Sequence, residues 1–200
     1  MTQPKTVRVG AAVIAAAALA ATAGPAAAGE RRTAVFAGGC YWSLERDMEP
    51  IPGVLSVTAG FHPFAEGEAA GGHKGPRAYE AVKVAYDPAK ISYAQLTAKY
   101  LRLTDPTDSG GAFCDRGPHY RPAILYGDES QRVAAQAALA AAQPMVRRKI
   151  VTAVLPFRDF RAAPTDEQDW ARKNPARYAT YRAGCGKDRV LKIIWITPPA

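Results

Sequence analysis

The chain has 200 residues, a formal net charge of +8 and only three cysteines. This length is sufficient for one domain with a substantial apolar core. No run of Lys and Arg is interleaved with aromatic residues, so the composition argues against a nucleic-acid-binding protein. The sequence has no C-x-x-C pair and no Cys/His cluster, so it gives no support for a zinc site.

The first 28 residues predict a secretory signal peptide. Lys5 and Arg8 precede an alanine-rich apolar run, and small residues follow it up to Ala28. This order predicts cleavage between Ala28 and Gly29, with an uncleaved membrane anchor as the alternative. The apolar run is shorter than the ~20 residues of a spanning helix, which favours cleavage over the anchor. After cleavage we expect no stable membrane insertion. Residues 29–200 are then one domain, which we expect to be a periplasmic or secreted monomer.

Short strands and helices follow in chain order. The patterns predict strand 33–37, helix 43–49, strands 54–59 and 79–86, helix 92–103, strand 120–126, helix 129–143, strand 150–155 and a further helix 166–173. Apolar runs and alternation indicate the strands, and apolar residues at three- and four-residue spacing indicate the helices. Glycine-rich stretches over 61–75 and 104–118 predict loops.

The first six elements match a ferredoxin-like split β-α-β unit. The predicted fold class is therefore α+β, a sandwich with helices on one face of a mainly antiparallel sheet. An extra helix follows these six elements, and residues 178–200 are predicted to be an irregular C-terminal tail, apart from 190–196.

Cys40 lies where the first predicted strand gives way to a helix, after Gly38 and Gly39 and before Tyr41 and Trp42. Backbone N–H groups at a helix N-terminus favour a thiolate and lower the pKa of a cysteine there. The glycines leave the thiol accessible, and the two rings supply apolar walls, which together predict an activated nucleophile. The alternative is a small buried residue that packs the end of the strand. Three cysteines in an exported chain leave at least one thiol unpaired or reactive.

Two polar groups are candidate partners for this thiol. Glu80 shares a strand face with Val82, so burial is expected to raise its pKa until it can donate a proton; an exposed strand edge is the alternative. Asp115, Tyr120 and Arg121 form the second group, in which the phenol could bind a substrate oxygen and Asp115 could orient it. A simple turn before an edge strand explains these residues equally well.

Together, eight ordered segments resemble the A-type peptide methionine sulfoxide reductases. They are GGCYW at 38–42, IPGVLSVTAGF at 51–61, YEAVKVAYDP at 79–88, ISYAQL at 91–96, DP at 105–106, DRGPHYR at 115–121, KNPARY at 173–178 and YRAGCG at 181–186. The first segment alone would be weak evidence for the family. All eight segments occur in the same order as in the family, which makes the resemblance specific.

The resemblance implies the chemistry of the site. Cys40 would attack the sulfur of methionine sulfoxide, bound in a protein or free, in its S epimer. Glu80 would protonate the sulfoxide oxygen, and Asp115 and Tyr120 would bind it. The products would be methionine and a sulfenic acid on Cys40. No metal and no bound cofactor are expected.

The resemblance also implies a substrate pocket. Tyr41 and Trp42 would hold the S-methyl group, and Phe61 would be the third substrate-binding residue. Three positions depart from the family pattern: Tyr41 replaces a more common Phe, Ser43 a usual Gly, and Phe61 a typical Tyr. Loss of the hydroxyl at Phe61 leaves Tyr120 as the main phenolic donor.

Recycling would use a second cysteine and an external dithiol such as thioredoxin. Cys185, in the tail, is the expected resolving cysteine, and Cys114 is its rival. One alternative is an exported binding domain stapled by a Cys114–Cys185 disulfide, with Cys40 buried; a catalytically degenerate member of the same fold is another. A Cys-His hydrolase would need His62, His73 or His119 beside Cys40.

Overall fold

The computed structural model describes residues 31–66 and 77–196. Its strands are β1 (Arg32–Ala37), β2 (Val54–Pro63), β3 (Ala78–Tyr86), β4 (Gly111–Ala112), β5 (Asp115–Arg116), β6 (Ala123–Tyr126), β7 (Ala153–Pro156) and β8 (Arg161–Ala162). Six of them form one sheet in the order β7-β6-β1-β3-β2-β8, and β4 pairs with β5 in a separate ribbon. The central four strands, β6-β1-β3-β2, are antiparallel throughout, whereas β7 runs parallel to β6.

The helices are α1 (Tyr41–Met48), α2 (Tyr93–Leu103), α3 (Glu129–Ala142), α4 (Trp170–Lys173), α5 (Pro175–Cys185) and α6 (Lys187–Ile194). Local chemistry fixes several ends. Ser92 and Gln95 form a capping box before α2, and the Asp128 side chain accepts the N–H of Gln131 at the start of α3. The order β1-α1-β2-β3-α2-β6 is that of the split β-α-β unit, so the predicted α+β class is confirmed.

The main core lies between the sheet and its helices. Its buried members include Phe36, Leu44, Met48, Val82, Val84, Leu96, Tyr100, Ile124 and Trp195. The buried hydroxyl of Tyr100 in α2 donates to the carbonyl of Ala37 at 2.5 Å. This bond fixes α2 against the end of β1, immediately before Cys40.

The C-terminal region differs from the predicted irregular tail. Pro175 opens α5, a position that suits a residue without an N–H, and Gly186 ends it in the left-handed conformation at φ 62°. The sequence of α5 has little apolar periodicity, so it gave no helical signal. The apolar run over 190–196 is too short to distinguish strand from helix; it forms most of α6, where Leu191 and Ile194 are buried.

The ends of other elements differ from the predicted ends by a few residues. Strand β2 extends to Pro63, into the predicted loop over 61–75, and residues 67–75 of that loop lie outside the described residues. The predicted signal peptide also lies outside them. Among the residues that are described, no helix is both long and apolar enough to cross a membrane.

Candidate active site

Cys40 is the N-cap of α1, which begins at Tyr41, two residues before the predicted start. The residue is buried, with 8% of its surface exposed, and its N–H donates to Asp115 Oδ2 at 3.2 Å. The chain turns sharply before it, with Gly39 at φ 85°, a conformation that favours glycine. At Gly38 a Cβ would lie 2.4 Å from Thr104 Oγ1. The two glycines therefore allow the tight approach that places the thiol in the site.

Glu80 lies beside the thiol, as predicted. Its Oε2 accepts the N–H of Tyr41, the residue after Cys40, at 3.1 Å. Burial, opposed in part by the Tyr41 bond, raises the pKa of Glu80 to about 7. The carboxyl group can therefore carry a proton near neutral pH, which a general acid requires.

The thiol itself differs from the expected activated nucleophile. Burial raises the pKa of Cys40 far above its usual value, and the negative charges of Glu80 and Asp115 raise it further. Hydrogen bonds from the backbone of Trp42 and from the side chain of Tyr181 lower it, but they do not outweigh burial. The prediction of a lowered pKa was wrong because it considered the helix terminus and ignored the loss of water.

Asp115 and Tyr120 both lie in the site, where Asp115 accepts hydrogen bonds and Tyr120 can donate one. Asp115 Oδ2 accepts the Cys40 N–H and the hydroxyl of Tyr181, the latter at 2.6 Å. Burial, followed by the negative charge of Glu80, raises the pKa of the Tyr120 phenol. The phenol thus stays protonated, as a donor must. Arg121, named with this group, donates to the carbonyl of Pro118.

Aromatic rings line the site. Trp42 stacks on Trp170 with ring centroids 3.9 Å apart, and its Nε1 donates to Glu167 Oε2 at 2.7 Å. Tyr41 meets Phe61 edge to face at 5.6 Å. The predicted pocket rings are therefore close together, and Trp42 is held in one orientation from two sides.

Cys114 and Cys185, the two rival resolving cysteines, form a disulfide with each other, and Cys40 is free. Cys114 is exposed and Cys185 is half-buried. The sulfur atoms of the pair and the carboxylate of Asp115 form a compact group, but bonded sulfurs cannot act as thiolate ligands. The pairing is the one named for the stapled-domain alternative.

Sequence reasoning missed three side chains of the site: Tyr181, Trp170 and Glu167. Their segments give weak patterns, and Tyr181 falls in the predicted irregular tail. A helix through YRAGC would have placed residues 181 and 185 on one face. That spacing is the signal that could have revealed it.

No Cys-His pair is seen in the part of the chain that the structure describes. The Nδ1 atoms of His62 and His119 contact the backbone carbonyls of Asp159 and Ala78. His73 lies outside the described residues.

A buried thiol, a carboxyl group that holds its proton near neutrality and a nearby disulfide define a cysteine-dependent oxidoreductase. The family model for peptide methionine sulfoxide reductase matches residues 32–198. The chain is 43% identical to "Peptide methionine sulfoxide reductase MsrA 2" of Caulobacter vibrioides, over 88% of this chain and 92% of that protein. The chain therefore belongs to the peptide methionine sulfoxide reductase family, in its A type, and it reduces the S-sulfoxide of methionine.

Solved structures share the fold. Reduced Mxr1 of Saccharomyces cerevisiae superimposes with a TM-score of 0.66 at 22% identity, over 73% of this chain and 87% of that one. Mxr1 in complex with Trx2 gives a TM-score of 0.51 at 19% identity, over 70% of this chain and 85% of that one.

Proposed function

We propose that Cys40 is the nucleophile and Glu80 the acid of this reduction. The Cys40 sulfur attacks the sulfur of methionine S-sulfoxide while Glu80 gives its proton to the sulfoxide oxygen, with Tyr120 donating a hydrogen bond to the same oxygen. The oxygen then passes from the substrate sulfur to Cys40, which becomes a sulfenic acid, and the S–O bond of the substrate breaks. Methionine leaves with the two electrons that the Cys40 sulfur loses, and the proton of the thiol returns to Glu80. The observation that carries the proposal is the position of Glu80, whose carboxyl group has its pKa raised to about 7 by burial and accepts the N–H of Tyr41, the residue next to Cys40.

The rings around Trp42 are the proposed site for the substrate methyl group. Trp42 and Tyr41 offer apolar surfaces next to Cys40, and Phe61 supports Tyr41. The stacking and hydrogen bond that fix Trp42 reduce the entropy lost when the methyl group binds. Both free and protein-bound methionine sulfoxide can present this group, so we expect both to be substrates.

We propose that recycling passes through both other cysteines. Cys185 attacks the sulfenic acid, water leaves and a Cys40–Cys185 disulfide forms. Cys114 then attacks Cys185, which releases Cys40 as a thiol and leaves the Cys114–Cys185 bond. Two features support this order. Cys114 is exposed whereas Cys40 is buried, so an external reductant reaches Cys114 more easily. Cys114 and Cys185 are also within bonding distance of each other.

An external dithiol would then reduce the Cys114–Cys185 bond. The complex of yeast Mxr1 with Trx2 supports a thioredoxin-like donor for this chain. The predicted signal peptide over residues 1–28 supports export, in which case the donor belongs to the periplasm or the cell exterior. Mass spectrometry of the protein recovered from outside the cytoplasm tests this: a mature N-terminus near Gly29 is expected, and retention of Met1 would contradict it.

Counting methionine formed without added reductant tests the cysteine assignments. Fully reduced protein with excess methionine S-sulfoxide should form about two methionines per chain, and protein with the Cys114–Cys185 bond intact about one. Cys114→Ser should form about one, and Cys40→Ser should form none. A single methionine from the fully reduced wild type would rule out exchange through Cys114.

The disulfide also favours a second candidate for its own role, a structural staple that takes no part in recycling. This candidate predicts about one methionine per chain from either redox form, because only Cys40 then reacts.

A further inference from the structure

Tyr181 is the residue of α5 that reaches the nucleophile. Its hydroxyl donates to Asp115 Oδ2 at 2.6 Å, and the same oxygen accepts the N–H of Cys40. The hydroxyl therefore lies close to Cys40, and its interaction with the thiol lowers the pKa of Cys40. Its ring meets the edge of Trp42, with centroids 6.3 Å apart.

The disulfide fixes this phenol in place. Tyr181 and Cys185 are one helical turn apart and therefore lie on the same face of α5. Their partners, Asp115 and Cys114, are neighbours in the chain. Two adjacent links, one hydrogen bond and one covalent bond, thus hold the last turns of α5 against the active site.

A phenol has a single proton, so Tyr181 can donate to Asp115 or to Cys40 but not to both, and the state of the sulfur decides which. Against a neutral thiol, the O–H group points to Asp115 and its oxygen can accept the S–H. When the sulfur becomes an anion, the O–H group can rotate and donate to it. Burial and the charge of Cys40 raise the pKa of Tyr181, so the proton stays on the phenol.

We infer that Tyr181 is a further catalytic residue, whose hydroxyl stabilises the sulfur anion of Cys40 during attack on the sulfoxide. Its contribution is needed because the nearby carboxylates oppose an anion there, Asp115 throughout and Glu80 whenever it is charged. A hydrogen bond that forms only to the anion lowers the barrier without tightening substrate binding. This inference rests on the proposed role of Cys40.

Tyr181→Phe tests the inference, with Tyr178→Phe as the matched control. Tyr178 lies on the same helix, but its hydroxyl contacts Ser43 and Arg182. In protein with the disulfide intact, the single-turnover rate of methionine formation should fall about 10- to 100-fold in Tyr181→Phe. KM should stay near the wild-type value, and Tyr178→Phe should retain the wild-type rate.

Alkylation separates a catalytic from a structural role. Because the thiolate is the reactive form, the rate with iodoacetamide at fixed pH reports how well the anion of Cys40 is stabilised. We expect about tenfold slower alkylation in Tyr181→Phe, without the faster labelling that an opened site would give. Unchanged rates in both assays would overturn the inference while leaving the role of Cys40 intact, whereas an inactive wild type would overturn the proposed function itself.

Discussion

At the scale of single residues, the proton on Glu80 and the negative charge on the Cys40 sulfur depend on each other. Cys40 is buried and Glu80 is half-buried, and a negative charge on Glu80 makes a negative charge on Cys40 less favourable. A proton on Glu80 removes the largest charge repulsion acting on the sulfur anion. The same proton is the one that the sulfoxide oxygen needs, so the reactive state requires a neutral Glu80.

Glu80→Gln should therefore slow the reductase step by about 100-fold, because an amide stays neutral but cannot supply a proton. In the wild type, the contribution of this proton is fully present below pH 7 and is lost as pH rises through the pKa of about 7. Rapid-quench measurement of methionine across this range checks both statements. In Glu80→Gln, the fall in the rate of methionine formation between neutral and alkaline pH that Glu80 causes should be absent.

Glu45→Gln is the control for that pH profile. Glu45 is also buried with a pKa of about 7, but its carboxylate accepts the N–H of Asp169, away from the thiol. Its variant should keep the wild-type profile. A Glu80→Gln rate within about threefold of wild type, which corresponds to roughly 0.65 kcal/mol of barrier, would remove Glu80 as the acid.

At the scale of elements, the strands and the first helices could be predicted from the sequence because each carries its own periodicity. Glu80 is an example, since alternation along β3 placed it on the core face beside Val82. The C-terminal helices could not be predicted in this way. Helix α5 is held by distant partners, including the ion pair of Arg182 with Asp47 in α1, and such contacts leave no local pattern.

The last turn of α5 contains a glycine that packing does not require. A Cβ at Gly184 would meet nothing within 4 Å, so Gly184→Ala should stabilise the helix by about 1 kcal/mol. If Cys185 must leave the helix to reach Cys40, this change should slow formation of the Cys40–Cys185 bond about fivefold. Stopped-flow measurement in a Cys114→Ser background checks the rate.

Ala183, next to Gly184, allows the reverse change, from alanine to glycine, in the same turn of α5. Ala183 is exposed, so Ala183→Gly weakens the same turn without removing a buried contact and should speed bond formation. Equal rates in both variants would show that the last turn of α5 does not unwind for resolution.

At the scale of the whole molecule, one covalent link joins the C-terminal helices to the segment between β4 and β5. The Cys114–Cys185 bond spans 71 residues of sequence. In the chain-entropy account, a loop of this size lowers the entropy of the unfolded chain and contributes about 4 kcal/mol to stability. Each catalytic cycle would therefore pass through a less stable reduced form.

Urea denaturation with and without dithiothreitol measures this difference. Reduction should lower the free energy of unfolding by about 4 kcal/mol in the wild type. Cys185→Ser, which cannot form the bond, should give the same value under both conditions. A wild-type difference below about 1 kcal/mol would show that the bond contributes little to stability and is not a staple.

The most direct test of the central claim is the reduction of each methionine sulfoxide epimer by the purified domain with excess dithiothreitol. We predict turnover of the S epimer by the wild type, none of the R epimer, and none of either by Cys40→Ser with its fold intact. Turnover by Cys40→Ser, or no turnover of the S epimer by the wild type, would contradict the account.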